Sequence, residues 1–231
     1  WPWWWLQRGR RWIWWWWRIR QVVIQMFKNR RAAAQQLAQA LKAYQHQHPL
    51  VLAIPRGAVP MAQVIAQQLG GDMDVVLVRK LRAPFMPEVA VGAIDESGKT
   101  YVAPYAHDMG ADWHYLQEEK ATQLQTLQHR RAQYNAIRAP IDPAHRTVIV
   151  VDDGLATGAT MVAALQAIRQ HQPARLVCAV PVASKDALEK IKPWADEWVC
   201  LSVPENFHGV GQFYSDFQQV EDADVLAILR S

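Results

Sequence analysis

The sequence predicts an α/β fold: a mostly parallel central sheet with helices on both faces. Short unalternated runs such as Leu50-Val51-Leu52-Ala53-Ile54 and Val148-Ile149-Val150-Val151 read as strands buried on both sides. Between such runs lie stretches with apolar residues at helical spacing, the crossovers that parallel pairing needs. Composition agrees. Of 231 residues, 51% are hydrophobic and 20% charged, enough for a real core and unlike a disordered chain. The length suits one large domain or two small ones.

From 29 to 44 the residues Ala33, Leu37, Ala40, Leu41 and Tyr44 recur at helical spacing. Pro49 then precedes the first strand, 50–54, which Pro55-Arg56-Gly57 punctuates. A helix over 59–69 stops at Gly70-Gly71. Val75-Val76-Leu77-Val78 reads as a second buried strand, and 79–87 as a loop. Residues 89–94 and 100–102 flank Asp95-Glu96-Ser97-Gly98 as a hairpin, with the two acids and Glu88 taken as surface charge. A long helix over 112–137 is closed by Pro140 and Pro143. Strand 147–151, helix 159–171, strand 175–180, helix 185–191 and strand 197–201 follow. Residues 202–219 are irregular and aromatic, and 222–229 form a closing helix.

Charge is unevenly distributed. Residues 1–71 carry ten Lys or Arg and no acid, whereas the rest carries 15 basic against 21 acidic residues, a net of −6. The basic balance therefore belongs to the N-terminal part. Nine of the twelve tryptophans fall within 1–17, interleaved with Arg8, Arg10, Arg11 and Arg18. Trp with Arg suits a membrane interface or a nucleic-acid surface. Four consecutive tryptophans at 14–17, however, cannot separate apolar and polar helix faces. The segment also lacks the pattern of a secretory signal. The preferred expectation is an extension over 1–25 outside the fold, with translation beginning at Met26 and a folded domain over 26–231. On that expectation neither a membrane nor a nucleic-acid partner follows unless 1–25 is part of the natural protein. Cys178 and Cys200 lie in apolar runs, without disulfide-framework or zinc spacing, and read as reduced core thiols of a cytoplasmic protein.

The most informative stretch is 148–160, Val-Ile-Val-Val-Asp-Asp-Gly-Leu-Ala-Thr-Gly-Ala-Thr. A buried strand releases the chain at the carboxyl edge, where open α/β sheets bind ligands. Two carboxylates stand there, followed by a loop of small residues and a helix. Small residues let backbone N–H groups approach a phosphate, and the helix N-terminus favours negative charge. Carboxylates accept hydrogen bonds from hydroxyls, so a phosphorylated ribose fits the combination. The Gly-Lys-Ser/Thr of a Walker loop and the Gly-x-Gly-x-x-Gly of a dinucleotide site are both absent.

Segment 148–160 resembles the phosphoribosyl-pyrophosphate (PRPP) motif of type I phosphoribosyltransferases, and the likeness extends over most of 26–231. It is nearest to a bacterial group marked by Pro-Arg-Gly after the first strand and Arg-Lys-Leu after the second, here Pro55-Arg56-Gly57 and Arg79-Lys80-Leu81. Met26-Phe27-Lys28-Asn29-Arg30 resembles that group's usual start. The resemblance implies a type I phosphoribosyltransferase fold with a small hood. It implies that Asp152 and Asp153 hold the ribose hydroxyls, and that Gly154 with Ala156, Thr157, Gly158, Ala159 and Thr160 cradles the 5-phosphate. Arg56 and Gly57 would lie in the pyrophosphate loop, where Ala58 stands in place of a common second glycine. Arg79 and Lys80 would begin a mobile closing loop.

Displacing pyrophosphate requires neutralising a highly charged leaving group. Mg²⁺ prefers oxygen ligands and commonly arrives on substrate phosphates, with Asp152 and Asp153 as candidate protein ligands. Arg56, Arg79 and Lys80 would add positive charge; as ordinary strand-end residues they would only be solvated. The expected partners are PRPP and an unidentified nitrogenous acceptor, in nucleotide metabolism, and a homodimer is compatible. Acceptor choice falls to a hood over 203–217 carrying Phe207, His208, Phe213 and Tyr214. There the aromatics either stack a base or pack the rim, and His208 is either an acid–base group or structural. The favoured activity is Mg²⁺-dependent phosphoribosyl transfer. The alternative is a sensor that binds PRPP or a nucleotide without catalysis, which would need no closure around Arg79-Lys80.

Overall fold

A computed structural model describes residues 27–87, 89–135 and 139–230. In chain order its elements are α1 (Arg30–Ala40), β1 (Leu50–Ala53), α2 (Val59–Leu69), β2 (Asp72–Val75), β3 (Val78–Arg82), β4 (Ala90–Asp95) and β5 (Thr100–Val102). Then come α3 (Trp113–Asn135), β6 (Thr147–Val151), α4 (Ala159–Arg169), β7 (Arg175–Val182), α5 (Lys185–Ile191), β8 (Glu197–Ser202) and α6 (Asp222–Arg230).

Five parallel strands form the central sheet in the order β2-β1-β6-β7-β8. The unalternated strand sequences are explained by the two cores. Val51, Ala53, Ile149, Val151, Val177 and Ala179 point to one face, where Ala33 and Leu37 of α1 and Met61 and Ile65 of α2 cover them. Leu50, Leu52, Val148, Val150, Leu176 and Cys178 point to the other, against Met161 and Leu165 of α4 and Leu188 and Ile191 of α5. In the middle of the sheet both kinds of position thus meet a helix, and both must be apolar.

The first helix ends at Ala40, earlier than its periodicity predicts, and a 3₁₀ turn over Lys42–Tyr44 carries Tyr44 into the core. There its hydroxyl donates to Glu197 Oε2 at 2.7 Å. Asn29 caps α1 by accepting from the Ala32 N–H at 3.0 Å.

The second strand is displaced from its predicted place. Asp72–Val75 pairs with β1, Leu50 opposite Asp72, while Val76 and Leu77 cross out of the central sheet. Both are buried, so the apolar run marks a crossing rather than a strand. The chain then forms β3, where a loop was expected. β3 pairs antiparallel with β4, and β4 with β5, making a separate three-stranded sheet. The 90–95/100–102 hairpin forms as predicted and recruits the basic segment as its third strand. Arg79 and Lys80 are therefore held by the ladder, opposite Ile94 and Ala93. The loop proper is confined to residues after Arg82. The tryptophan-rich extension, Glu88 and the predicted end of the long helix at Ile137 lie outside the described residues.

Asp95 and Glu96 correct another expectation. Asp95 is 4% exposed, and its Oδ1 accepts from the Ser97 and Lys99 N–H groups, each at 2.9 Å. Its other oxygen meets His171 Nε2. Glu96 Oε2 lies 3.0 Å from Arg131 Nε, and that guanidinium grips buried Asp74 at 3.2 and 3.3 Å. These groups line a cavity of about 660 Å³ between β2, the β4–β5 turn, α3 and the end of α4. Burial pushes the Glu96 carboxyl up to about 7, against the pull of Arg131. The acids are buried because Arg131, 35 positions along, reaches back to them; no local spacing encodes that.

Candidate functional site at the carboxyl edge of the sheet

β6 delivers Asp152 and Asp153 to the carboxyl edge between β1 and β7. Asp152 turns back on the chain, and its Oδ1 accepts from the Asp153 N–H at 2.9 Å. Burial drives its carboxyl well above the usual range, and the neighbouring Asp153 charge pushes the same way. Asp153 is raised by burial too, but Arg30 opposes the rise. Arg30 lies at the start of α1, with Nε 2.9 Å and Nη2 2.8 Å from Asp153 Oδ2. Two adjacent buried carboxylates cannot both ionise cheaply, and a guanidinium beside one of them decides which does.

The turn after the aspartates is built for small residues. A Cβ on Gly154 would come within 2.6 Å of Val210 Cγ1. Leu155 joins the sheet edge by a bridge to Ala183, and Ser184 Oγ donates to the Ala156 carbonyl at 2.8 Å. Gly158 takes the N-cap position of α4 with φ +72°, a left-handed conformation, and a Cβ there would sit 3.0 Å from the Ala187 carbonyl. No side chain caps this helix; the Thr157 hydroxyl reaches only the Ala159 N–H, at 3.4 Å. The first turn thus keeps backbone donors for an anion.

Thr160 comes together with Arg79, Lys80 and Arg82 around a cavity of about 160 Å³. The basic strand and the end of the phosphate-type turn are neighbours, although 78 residues separate Arg82 from Thr160.

Arg56 and Gly57 follow β1, and the peptide between Pro55 and Arg56 is cis. Gly57 meets the aspartate dyad directly: a Cβ built there would lie 2.0 Å from Asp153 Oδ2. The Arg56 side chain turns to the start of α6, with Nη1 3.4 Å from Glu221 Oε2 and 3.6 Å from Asp222 Oδ2.

The aromatic segment 203–217 does not present its rings for stacking. Phe213 and Tyr214 are buried, and Phe207 packs on Phe213 at 5.4 Å, so rim packing is the role these rings have. His208 is exposed, and its backbone N–H donates to Gln212 Oε1 at 2.9 Å. Tyr214 has a task that the sequence did not disclose: its hydroxyl donates to the Asp153 carbonyl at 2.7 Å. Arg30 was not assigned to the site. In the sequence it is only the end of the Met26–Arg30 run and the first residue of a capped helix, which nothing links to an aspartate 123 residues away.

Residues 23–218 match the family described as a phosphoribosyl transferase domain. Chains from two strains of Mycobacterium tuberculosis, both provisionally described as phosphoribosyl transferases, are 39% identical to this chain over 207 residues. Each match covers 89% of this chain and 47% of the relative, so the chain spans about half the length of the curated relatives it matches. The crystal structure of TT1426 from Thermus thermophilus is similar with a TM-score of 0.85 and 47% identity, over 89% of this chain and 98% of that one.

Proposed function

We propose a function from one premise: the chain belongs to the phosphoribosyl transferase family. The reaction is transfer of ribose 5-phosphate from PRPP to a nitrogenous acceptor, a nucleobase or related compound. The acceptor nitrogen bonds to the anomeric carbon, the bond from that carbon to pyrophosphate breaks, and the acceptor loses a proton.

One observation carries this reading. An ionisable carboxylate pair, a glycine packed against it and an uncapped helix N-terminus meet at one sheet edge. In this reading Asp152 and Asp153 take the two ribose hydroxyls. The turn from Ala156 to Thr160 takes the 5-phosphate on backbone N–H groups, a role that the uncapped start of α4 supports. On the same reading Gly57, whose backbone packs against Asp153, and the adjacent Arg56 lie where the pyrophosphate binds. Arg79 and Lys80 line the small cavity beside Thr160 from β3, and in this reading that strand, rather than a loose segment, supplies the charge that neutralises the pyrophosphate. Preorganised positive charge of this kind lowers the barrier to releasing an anion.

The donor set fits Mg²⁺, since carboxylate oxygens are its preferred ligands. Among the described residues no group of three or more His, Cys, Asp or Glu is gathered for a metal. Asp152 and Asp153 would therefore hold the ion jointly with the substrate's phosphates, and when bound it offsets charge on the departing pyrophosphate. Among those residues, too, no helix is long and apolar enough to cross a membrane. A cytoplasmic site of action belongs to the proposal.

The test is calorimetric titration with PRPP and Mg²⁺, beside the Asp152→Asn/Asp153→Asn double variant, followed by an acceptor screen read by pyrophosphate release. Binding lost in the variant, with release on some nucleobase, supports the enzyme. Binding without release on any acceptor leaves a sensor. A folded wild type that does not bind PRPP removes both.

A further inference from the structure

We infer that the cavity of about 660 Å³ at the far end of α4 is a second ligand site, which takes a small organic cation with an apolar body and pairs its nitrogen with Glu96. The inference does not depend on the reading of Asp152 and Asp153.

The cavity is separate from the carboxyl-edge site. No residue lines both it and the small cavity beside Thr160. Thr160 lies in the first turn of α4 and Ile168 near its end, about 12 Å apart along the helix axis. The volume falls in the range of small-molecule sites, roughly 300–1,000 Å³. Leu52, Val76, Leu77, Ile141 and Ile168 supply apolar wall, and a group of buried charges stands among them.

Those charges leave one carboxylate over. Asp74 is fully served: Arg131 Nη1 and Nη2 donate to its two oxygens at 3.3 and 3.2 Å, and the Ile141 and Val75 N–H groups donate at 2.9 and 2.8 Å. Asp95 is held by its own turn and by His171. Among the described residues Glu96 has Arg131 alone. Its Oε2 lies 3.0 Å from Arg131 Nε but off the N–H direction, so neither atom gains a hydrogen bond there. One guanidinium thus faces two carboxylates, and it is committed to Asp74. Lys99 is exposed and pairs with no acid among the described residues. Burial outweighs the pull of Arg131 on Glu96, the mark of a carboxylate short of positive charge.

Four acids line the cavity against Arg131, Lys99 and His171, and His171 is taken by Asp95. An anion would add to that excess. A cation supplies the missing charge and donates to Glu96, while the apolar wall covers the rest of the ligand. Away from water such a charge-assisted hydrogen bond is strong.

The probe is benzamidine, an amidinium on an apolar ring, with benzoate as its counterpart of opposite charge. Calorimetric titration of the whole chain at pH 8, where Glu96 is mostly ionised, should show saturable benzamidine binding and weaker binding of benzoate. Glu96→Gln should weaken benzamidine at least about tenfold, since a hydrogen bond to a charged group is lost. Ala132→Phe, which builds a ring into the cavity from an exposed position of α3, should weaken it as much. Melting temperatures check that both variants fold; if Ala132→Phe does not, Ile141→Phe takes its place. No saturation with benzamidine at millimolar concentration overturns the inference. Equal or tighter binding of benzoate also overturns it, because Arg131 would then be the recognising group. Benzamidine affinity that survives either substitution puts the cation elsewhere and overturns it too.

Discussion

Gly57 and Asp153 share one space: a side chain on the first would overlap the carboxylate of the second, at 2.0 Å from Oδ2. Gly57→Ala must therefore push Asp153 off Arg30 or move the loop after β1. Calorimetry should show PRPP affinity reduced at least tenfold, roughly 1.4 kcal/mol or more. Unchanged affinity would mean that Asp153 Oδ2 is not held where a ligand senses it.

The two aspartates should respond differently to amidation. Asp152 is driven toward its protonated form by burial and by Asp153, so asparagine imitates its preferred state. A carboxyl raised in the folded state gives stability that is present at low pH and lost as pH rises through the folded value. Asp152→Asn should hence leave the melting temperature unchanged below pH 3.8 and raise it progressively above that, most clearly at pH 8. Asp153→Asn should lower it, because Arg30 is left buried without its charge partner. Both should cut turnover by orders of magnitude.

Lys80 separates neutralisation of the leaving group from sugar binding. It stands on β3 across the small cavity from Thr160. Lys80→Ala should reduce turnover by about 10²-fold or more, as for loss of a transition-state charge contact. Ribose 5-phosphate affinity should stay within about twofold. Equal losses in both would place Lys80 at the sugar phosphate instead.

Arg56 is held by acids at the start of α6, and those contacts are exposed: Arg56 has 31% of its side chain open, and Glu221 59%. Exposed ion pairs contribute little, about 0–1 kcal/mol. Glu221→Gln/Asp222→Asn should leave stability nearly unchanged and tighten pyrophosphate binding several-fold by releasing the guanidinium. Pyrophosphate binding that weakens instead would show that the two acids orient Arg56 for its ligand.

Away from the site, Glu96 sets a pH dependence. Its carboxyl is raised from 4.5 to about 7 by burial, so the folded chain binds more protons than the unfolded one across that interval. Its contribution is complete below pH 4.5 and fades as pH climbs through 7. Glu96→Gln should flatten that decline and raise stability at pH 8 by on the order of 1–3 kcal/mol. Denaturant titrations at pH 5 and 8 measure it.

The parallel sheet was legible because burial on both faces leaves a mark in the residues themselves. Leu50 to Ala53 and Val148 to Val151 have no polar alternation to hide them. The turn after β6 was legible because a local sequence makes a local structure. β3 was not, since Arg79, Lys80 and Arg82 form a strand only by pairing with a hairpin that comes later in the chain. The placing of Asp95 and Glu96 likewise depends on Arg131, and that of Asp153 on Arg30. Where one partner of a buried charge is distant, a single segment carries half of the information. The aromatic segment was ambiguous for a related reason: stacking a ligand and packing a rim call for the same residue types, and only the burial of Phe213 and Tyr214 separates them.

The clasp on Asp153 also sets an order of assembly. Arg30 meets Asp153 across 123 residues and Gln218 across 188, while the aspartates and the turn that follows them are neighbours in sequence. Contacts that close long loops form late, after the local ones that make them worthwhile. A nascent chain that has reached Val182 already has Arg30, four strands of its central sheet and both carboxylates, but not the Gln218 carbonyl and Tyr214 hydroxyl that tie the pair down. The contacts that fix Arg30 and Asp153 are complete only with the stretch from Tyr214 to Gln218, so a segment made late acts as the latch on α1.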